Sequence, residues 1–237
     1  MTGKLITFEG PEGGGKSTQA AALAEALREA GFEALLTREP GGTKLGDAIR
    51  NLLLHEASGE APCAPAELFL FCASRAQLCA NVIRPALERG VWVILDRFTD
   101  STLAYQGYGR GFDVDALRRI NTLTTGGLVP DLTILLDISA ETGLNRVMER
   151  SGLQGGGARH RPNLKFGNDD AEELALPGFG TDTVEREPIE FHKRLRDGFL
   201  VLADLEPHRF AVVNGISPKE KVTGQIRKTV WEKFALD

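Results

Sequence analysis

Five short apolar runs punctuate the chain: Leu5–Phe8, Ala34–Thr37, Val91–Leu95, Leu132–Leu136 and Phe210–Val213. Each is four or five residues long and apolar without alternation. Strands buried on both faces of a parallel sheet read this way, because neither side of the pleat meets water. Between the runs the period lengthens. Ala20, Leu23, Ala24 and Leu27 follow i, i+3, i+4, i+7 spacing, and Gly31 closes that helix. Leu68, Phe71, Cys72, Arg75, Ala76 and Cys79 keep the same rhythm in a longer helix ending near Gly90, and Phe191, Leu195, Phe199 and Leu202 mark another. Strands alternating with helices imply right-handed βαβ units, hence an α/β fold with a doubly wound sheet and helices on both faces. No repeat and no Pro/Ser-rich linker divides the chain, so residues 1–237 are expected to form a single domain.

One stretch breaks the rhythm. Ser151–Asp182 holds seven glycines and two prolines, too long and too glycine-rich for an ordinary connection. Segments of this kind are either functional lids or surface insertions without a role. Residues at about 151–183 therefore form either a lid insertion or a surface loop, and position decides between them.

Composition narrows the class. With 42% apolar and 26% charged residues, the chain has the make-up of an ordinary globule. A net charge of −5 argues against nucleic acid or an anionic membrane surface as partner. No apolar run approaches the roughly 20 residues of a membrane span. The opening MTGKLITFEG lacks a signal architecture, so a cytoplasmic location is expected. Cys72 and Cys79 lie seven residues apart in a helical pattern. That spacing puts their Cα atoms about 10 Å apart, beyond disulfide reach. With Cys63 they read as free thiols.

Gly10-Pro11-Glu12-Gly13-Gly14-Gly15-Lys16-Ser17 fits G-x-x-x-x-G-K-[ST], directly after an apolar strand and opening an amphipathic helix. Its glycines let backbone N–H groups turn toward phosphate oxygens, and the helix N-terminus adds its positive end. Lys16 is expected to reach the β- and γ-phosphates, Ser17 to ligate Mg²⁺, and Thr18 to complete the ATP-binding segment. The third run delivers Asp96 at its C-terminal edge, where ligands of open α/β sheets sit, and Arg97 follows beside it. Asp96 is the second candidate metal residue. No N-K-x-D guanine-reading element follows, and no early second lysine marks the loop. A small chain with a late glycine-rich segment therefore points to transfer between two small nucleotides.

The chain resembles thymidylate kinase along nearly its whole length. The carrying segments are Phe8–Gln19, Thr37-Arg-Glu-Pro-Gly-Gly-Thr43, Ala73-Ser-Arg-Ala-Gln77, Asp96–Thr102 with Ala104-Tyr-Gln-Gly107, and Pro130-Asp-Leu-Thr133. The resemblance implies a P-loop nucleoside monophosphate kinase fold with a five-stranded parallel sheet. It implies phosphoryl transfer from ATP, with Mg²⁺, to dTMP for dTTP supply, and a homodimer. Another monophosphate kinase, or a nucleotide-binding regulator without turnover, is the alternative. By the same resemblance Arg38 and Arg97 grip the dTMP phosphate, and the Glu39–Pro40 bond is often cis. Ser101 and Gln106 contact or fix the base, Tyr105 packs on the sugar, and Glu12 accepts from the 3′-hydroxyl. Phe71 and Arg75 lie four apart on one helix face. Taken alone, Arg75 could simply snorkel from a core helix; the family places thymine between these residues.

Charge on the transferring group would be held by Lys16, Arg97, Mg²⁺ and lid arginines, with no general base required. Some relatives carry an arginine in the loop where this chain has Gly13, and others take it from a lid Asp-Arg-x-Glu. Here that segment is Asp182-Thr183-Val184-Glu185. Arg150, ending a helix before the insertion, is the first candidate for the catalytic arginine. Arg159, Arg161 and then Arg186 follow.

Overall fold

Each of the five apolar runs forms a strand: β1 (Leu5–Glu9), β2 (Ala34–Arg38), β3 (Trp92–Asp96), β4 (Leu132–Asp137) and β5 (Phe210–Asn214). The computed structural model describes residues 3–54, 60–150 and 187–236. The strands pair in parallel in the order β2-β3-β1-β4-β5. All five strands run one residue past their apolar runs, and the added residue is polar, being Glu9, Arg38, Asp137 and Asn214 in four of them. With Asp96, which the sequence already put at the end of its strand, they line one edge of the sheet. The chain leaves β1 toward β2 and leaves β3 toward β4, so its connections diverge at the β1–β3 crevice, the usual place for a ligand. Register puts Phe8 and Arg38 opposite Asp96 from either side.

Helices cover both faces. On one, Leu23 and Leu27 of α1 (Lys16–Glu29) and Val222, Ile226 and Val230 of α9 (Lys219–Phe234) pack on Ile6, Phe8, Ile134 and Leu136. On the other lie α3 (Ala64–Leu78), α4 (Arg84–Glu88), α6 (Val114–Thr125) and α8 (Ile189–Leu205), with Leu5, Leu95 and Leu135 beneath them. Remaining helices are α2 (Lys44–Leu54), the single turn α5 (Thr99–Thr102) and α7 (Ala140–Arg150).

Two π-helical turns lie outside what periodicity predicts. One, Cys79–Ile83, joins α3 to α4 into a continuous helix Ala64–Glu88 of 25 residues. It ends two residues before Pro85, whose missing N–H breaks the regular ladder. By length and composition this helix could cross a membrane. Its buried Leu68, Cys72, Leu78 and Ile83, and the buried charges Glu67 and Arg75, make it a core helix instead. The other π turn, Leu103–Gly109, follows α5 and carries Tyr105 and Gln106. Cys63, Cys72 and Cys79 are free. The expected insertion, with Arg159, Arg161, Thr183 and Arg186, lies outside the described residues.

Candidate active site

The loop between β1 and α1 closes tightly because glycine occupies its left-handed positions, among them Gly10 (φ 131°) and Gly13 (φ 73°). Gly13 also has no room for a side chain. A Cβ there would stand 2.3 Å from the carbonyl oxygen of Gly143 in α7, and one on Gly143 would stand 2.3 Å from that of Glu12. Loop and helix meet backbone to backbone, which accounts physically for the absence of a loop arginine.

Lys16 is buried and folds over its own loop, Nζ donating to Gly10 O at 3.0 Å and Pro11 O at 2.7 Å. Burial, then Arg97, lowers its pKa to about 8 against the pull of Glu12, Asp96 and Glu9. Ser17 Oγ donates to Asp96 Oδ2 at 2.5 Å, so the two expected metal residues meet. Among the described residues no cluster of three or more His, Cys, Asp or Glu could hold a metal by itself. One hydroxyl beside one carboxylate suits a Mg²⁺ that arrives on nucleotide phosphates and keeps several waters.

Arg97 holds a left-handed backbone (φ 72°), a conformation costing a non-glycine residue about 1–3 kcal/mol and concentrated at functional sites. That turn aims its side chain back across the loop. Nη1 donates to Gly10 O and Ser101 Oγ, each at 3.2 Å, and Nη2 to Glu12 Oε1 at 3.1 Å. The guanidinium lies 5.0 Å from the Tyr105 ring centroid. Tyr105 Oη also donates to Glu12 Oε1. Glu12 Oε2 is buried, has no hydrogen-bond partner among the described residues, and stands 3.7 Å from His192 Nδ1. Burial works to raise the Glu12 pKa, but His192, Arg97, Lys16 and Tyr105 outweigh it and hold it at about 2.

Beneath them Glu9 is fully buried and accepts from Phe98 N (2.7 Å), Ser101 N (3.2 Å) and Ser101 Oγ (2.6 Å). Burial and then the neighbouring Asp100 push its pKa up to about 8, against Arg97 and these bonds. Ser101 is therefore engaged from below by Glu9 and from above by Arg97.

Along α3, Glu67, Phe71 and Arg75 recur every four residues and share one face. Phe71 is half-buried. Arg75 is 2% exposed and does not present the open guanidinium face that the family resemblance implied. Its Nε pairs with Glu39 Oε2 at 2.8 Å, Nη1 donates to Thr102 Oγ1 and Asn121 Oδ1, Nη2 donates to Phe98 O, and the Phe98 ring covers it at 5.7 Å. A guanidinium this deep needs a carboxylate, and Glu39 supplies it from beside a cis peptide bond to Pro40. Gln106 is buried and donates Nε2 to Glu67 Oε1 at 2.9 Å. Arg38 ends β2 just before that turn.

Arg150 is exposed and, among the described residues, bonds along its own helix, Nε to Arg146 O at 3.2 Å. One turn earlier, Arg146 reaches the loop instead, Nη1 donating to Gly13 O at 3.3 Å and Gly215 O at 3.0 Å. Beyond Gly215 a cleft of about 440 Å³ opens outside the ends of β4 and β5, lined by Ile138, Asn214 and Ile216 among others. Sequence reasoning missed Glu9, Glu39, Glu67, Arg110, Arg146 and His192. Only Glu9, a carboxylate ending an apolar strand at the loop, carried a local signal.

Comparison with known proteins agrees with this geometry. A family model described as thymidylate kinase matches residues 8–165. Thymidylate kinase from Desulfovibrio desulfuricans is 47% identical over 226 residues, covering 95% of this chain and 94% of that one. Its counterpart from Geobacter sulfurreducens is 47% identical over 213 residues, covering 90% and 89%. The crystal structure of thymidylate kinase from Ehrlichia chaffeensis superimposes with a TM-score of 0.69 at 32% identity, covering 97% of this chain and 99% of that one. A phosphate loop facing a strand-end aspartate, a strained arginine and a buried carboxylate–tyrosine pair thus sits in a chain matched over almost its full length: it belongs to the thymidylate kinase family.

Proposed function

We propose that this protein transfers the γ-phosphoryl group of ATP to the 5′-phosphate of dTMP, giving dTDP and ADP for dTTP synthesis. The observation that carries the reading is the meeting of two half-sites at one sheet edge. Lys16, Ser17 and Asp96 form one half, and Glu12, Arg97 and Tyr105 form the other, joined by the Arg97–Glu12 pair.

The donor would lie on Gly10–Thr18, its triphosphate on the loop amides and Lys16, its base and sugar toward Arg146 and the cleft beyond β5. Ser17 and Asp96 would hold Mg²⁺, which supplies charge neutralisation on the phosphates when bound. The acceptor phosphate would meet Arg38 and Arg97, charged donors at the ends of β2 and β3. Glu12 Oε2, kept ionised and without a hydrogen bond among the described residues, is suited to accept from the sugar 3′-hydroxyl, with Tyr105 against the sugar. Phe71 and Gln106 would meet the base. Among the described residues Arg75 has one Nη2 hydrogen uncommitted, so it would reach the base through that hydrogen and not through an open face. An anionic phosphate acceptor is already a nucleophile, so positioning and electrostatics carry the catalysis and no general base is assigned.

A homodimer fits the apolar side chains Leu45 and Leu52 on α2 and the 61% exposed Phe69 on α3, adjacent helices on the same side of the molecule. One catalytic domain, small nucleotides as its ligands, three free thiols and a cytoplasmic setting complete the reading. ADP release coupled to a reporter, measured across dTMP, dUMP, AMP, GMP and CMP, tests it. Preference for dTMP is expected, and turnover of a purine monophosphate at equal efficiency would overturn the assignment.

A further inference from the structure

We propose that Glu67, clasped by Arg110, is a positioning residue that fixes which end of the Gln106 carboxamide faces the acceptor, and so selects thymine or uracil over cytosine. The inference rests on the reading of Gln106 as a base contact.

A carboxamide exchanges its oxygen and nitrogen by a half-turn, and only its neighbours decide which orientation holds. Here the neighbour is decisive. Glu67 Oε1 accepts from Gln106 Nε2 at 2.9 Å, and Arg110 grips the same carboxylate on both oxygens, Nε to Oε1 at 2.9 Å and Nη2 to Oε2 at 2.8 Å. A carboxylate so held offers only acceptors. Flipping Gln106 would set its oxygen against Glu67 Oε1 inside the protein, losing a buried hydrogen bond and placing lone pairs face to face. Glu67 and Gln106 are both buried, so water does not soften that choice. Arg110 is itself anchored, with Nη1 donating to Glu187 at 2.9 Å and the guanidinium 5.5 Å from the Phe191 ring. Glu67 stands one helical turn before Phe71, and Gln106 directly follows Tyr105. The amide is therefore tied through Glu67 to the helix face that carries Phe71, and it adjoins Tyr105 along the chain.

With one N–H tied to Glu67, Gln106 has an oxygen and a second N–H to offer, an acceptor beside a donor. Thymine and uracil present the complement, an N3–H donor beside a carbonyl. Cytosine presents the inverse, an N3 acceptor beside an amino donor. The held orientation matches the first edge at both positions and opposes the second at both. Sites built to such a pattern reject a mismatched ligand far more strongly than shape alone allows.

The test is initial-rate kinetics of the full chain with saturating ATP·Mg²⁺, comparing dTMP and dCMP for the parent, Glu67→Gln, Arg110→Lys and Gln106→Ala. Glutamine at 67 keeps the shape but can present either oxygen or nitrogen, so the flip is no longer forbidden. The ratio of kcat/KM for dTMP over dCMP is expected to fall at least about tenfold in Glu67→Gln, mainly through KM for dTMP. Arg110→Lys, which cannot clasp both oxygens, should move it in the same direction. It decides the matter if Glu67→Gln does not fold. A merely structural Glu67 would depress both nucleotides alike. An unchanged ratio in the folded variants, with Gln106→Ala impaired toward dTMP, overturns the positioning role and leaves Gln106 a base contact. Gln106→Ala with unaltered dTMP kinetics removes the base contact and the proposal with it.

Discussion

Lys16 shows how burial and function meet in one side chain. Its pKa of about 8 in the nucleotide-free protein lies below the lysine value of 10.5 that the unfolded chain retains. Between those pH values the unfolded state binds more protons, so this group's contribution to stability rises with pH across that window. Bound polyphosphate reverses the preference and favours the charged form. ATP binding at pH 9 should therefore take up about one proton per site, and at pH 7 almost none. Calorimetric titration in two buffers of different ionisation enthalpy measures this directly. Lys16→Ala should abolish the uptake and cut kcat at least about a hundredfold while remaining folded. A parent protein that takes up no proton at pH 9 would place Lys16 away from the phosphates. Of such residues, those in the loop and Asp96 at the end of β3 were legible in the sequence, because spacing and strand position define them, whereas Glu9 at the end of β1 was passed over. Arg75 was only half legible. A charge within an apolar stripe reads equally as an arginine that snorkels outward, and its partner Glu39 lies 36 residues away, where no local pattern points.

At the scale of elements, two contacts lock the site together. Arg75 ties α3 to the Glu39–Pro40 turn, to Thr102 of α5 and to Asn121 of α6. Removing one partner of a buried pair strands the other charge, at a cost of about 3–5 kcal/mol. Arg75→Ala and Glu39→Ala should each lower the thermal midpoint by many degrees, and the double variant by less than the sum of the two. Additive losses in that cycle would mean the pair is not coupled. The second contact is the backbone seam between loop and α7. Gly143→Ala would press a methyl group into Glu12 O, so α7 must move off the loop. KM for ATP should rise about tenfold or more with the unfolding midpoint little changed; unchanged ATP kinetics would refute the seam's importance. Apolar runs announced every strand. The π turn holding Tyr105 and Gln106 escaped detection, since one extra residue per turn leaves no periodic trace over seven residues.

For the whole molecule, the open question is which arginine brings positive charge to the β/γ-phosphates. Gly13 excludes the loop itself on steric grounds. The chain leaves α7 at Arg150 and re-enters at Glu187, so residues 151–186 are bracketed by groups already at the site: Arg146 against Gly13 and Glu187 against Arg110. Arg146 and Arg150 both precede the insertion, one touching the loop and one exposed a turn beyond it. Arg146 cannot be read from sequence as different from Arg150, because the two lie one turn apart on the same face of α7 and what separates them is their distance from the loop along the helix. An arginine acting on the transferring group is worth about 10³–10⁵ in rate in related reactions, whereas one that only seats the donor changes KM. Arg146→Ala should therefore raise KM for ATP with a smaller effect on kcat. Arg150→Ala should lower kcat by about tens-fold while sparing KM for dTMP. Deleting 155–177 removes Arg159 and Arg161 and leaves both helix arginines in place, so kcat should stay near the parent value. A severe loss in the deletion with a silent Arg150→Ala would move the catalytic charge to Arg159 or Arg161. Full activity in the deletion, in Arg150→Ala and in Arg146→Ala would leave Lys16, Arg97 and the metal to carry the transition-state charge alone.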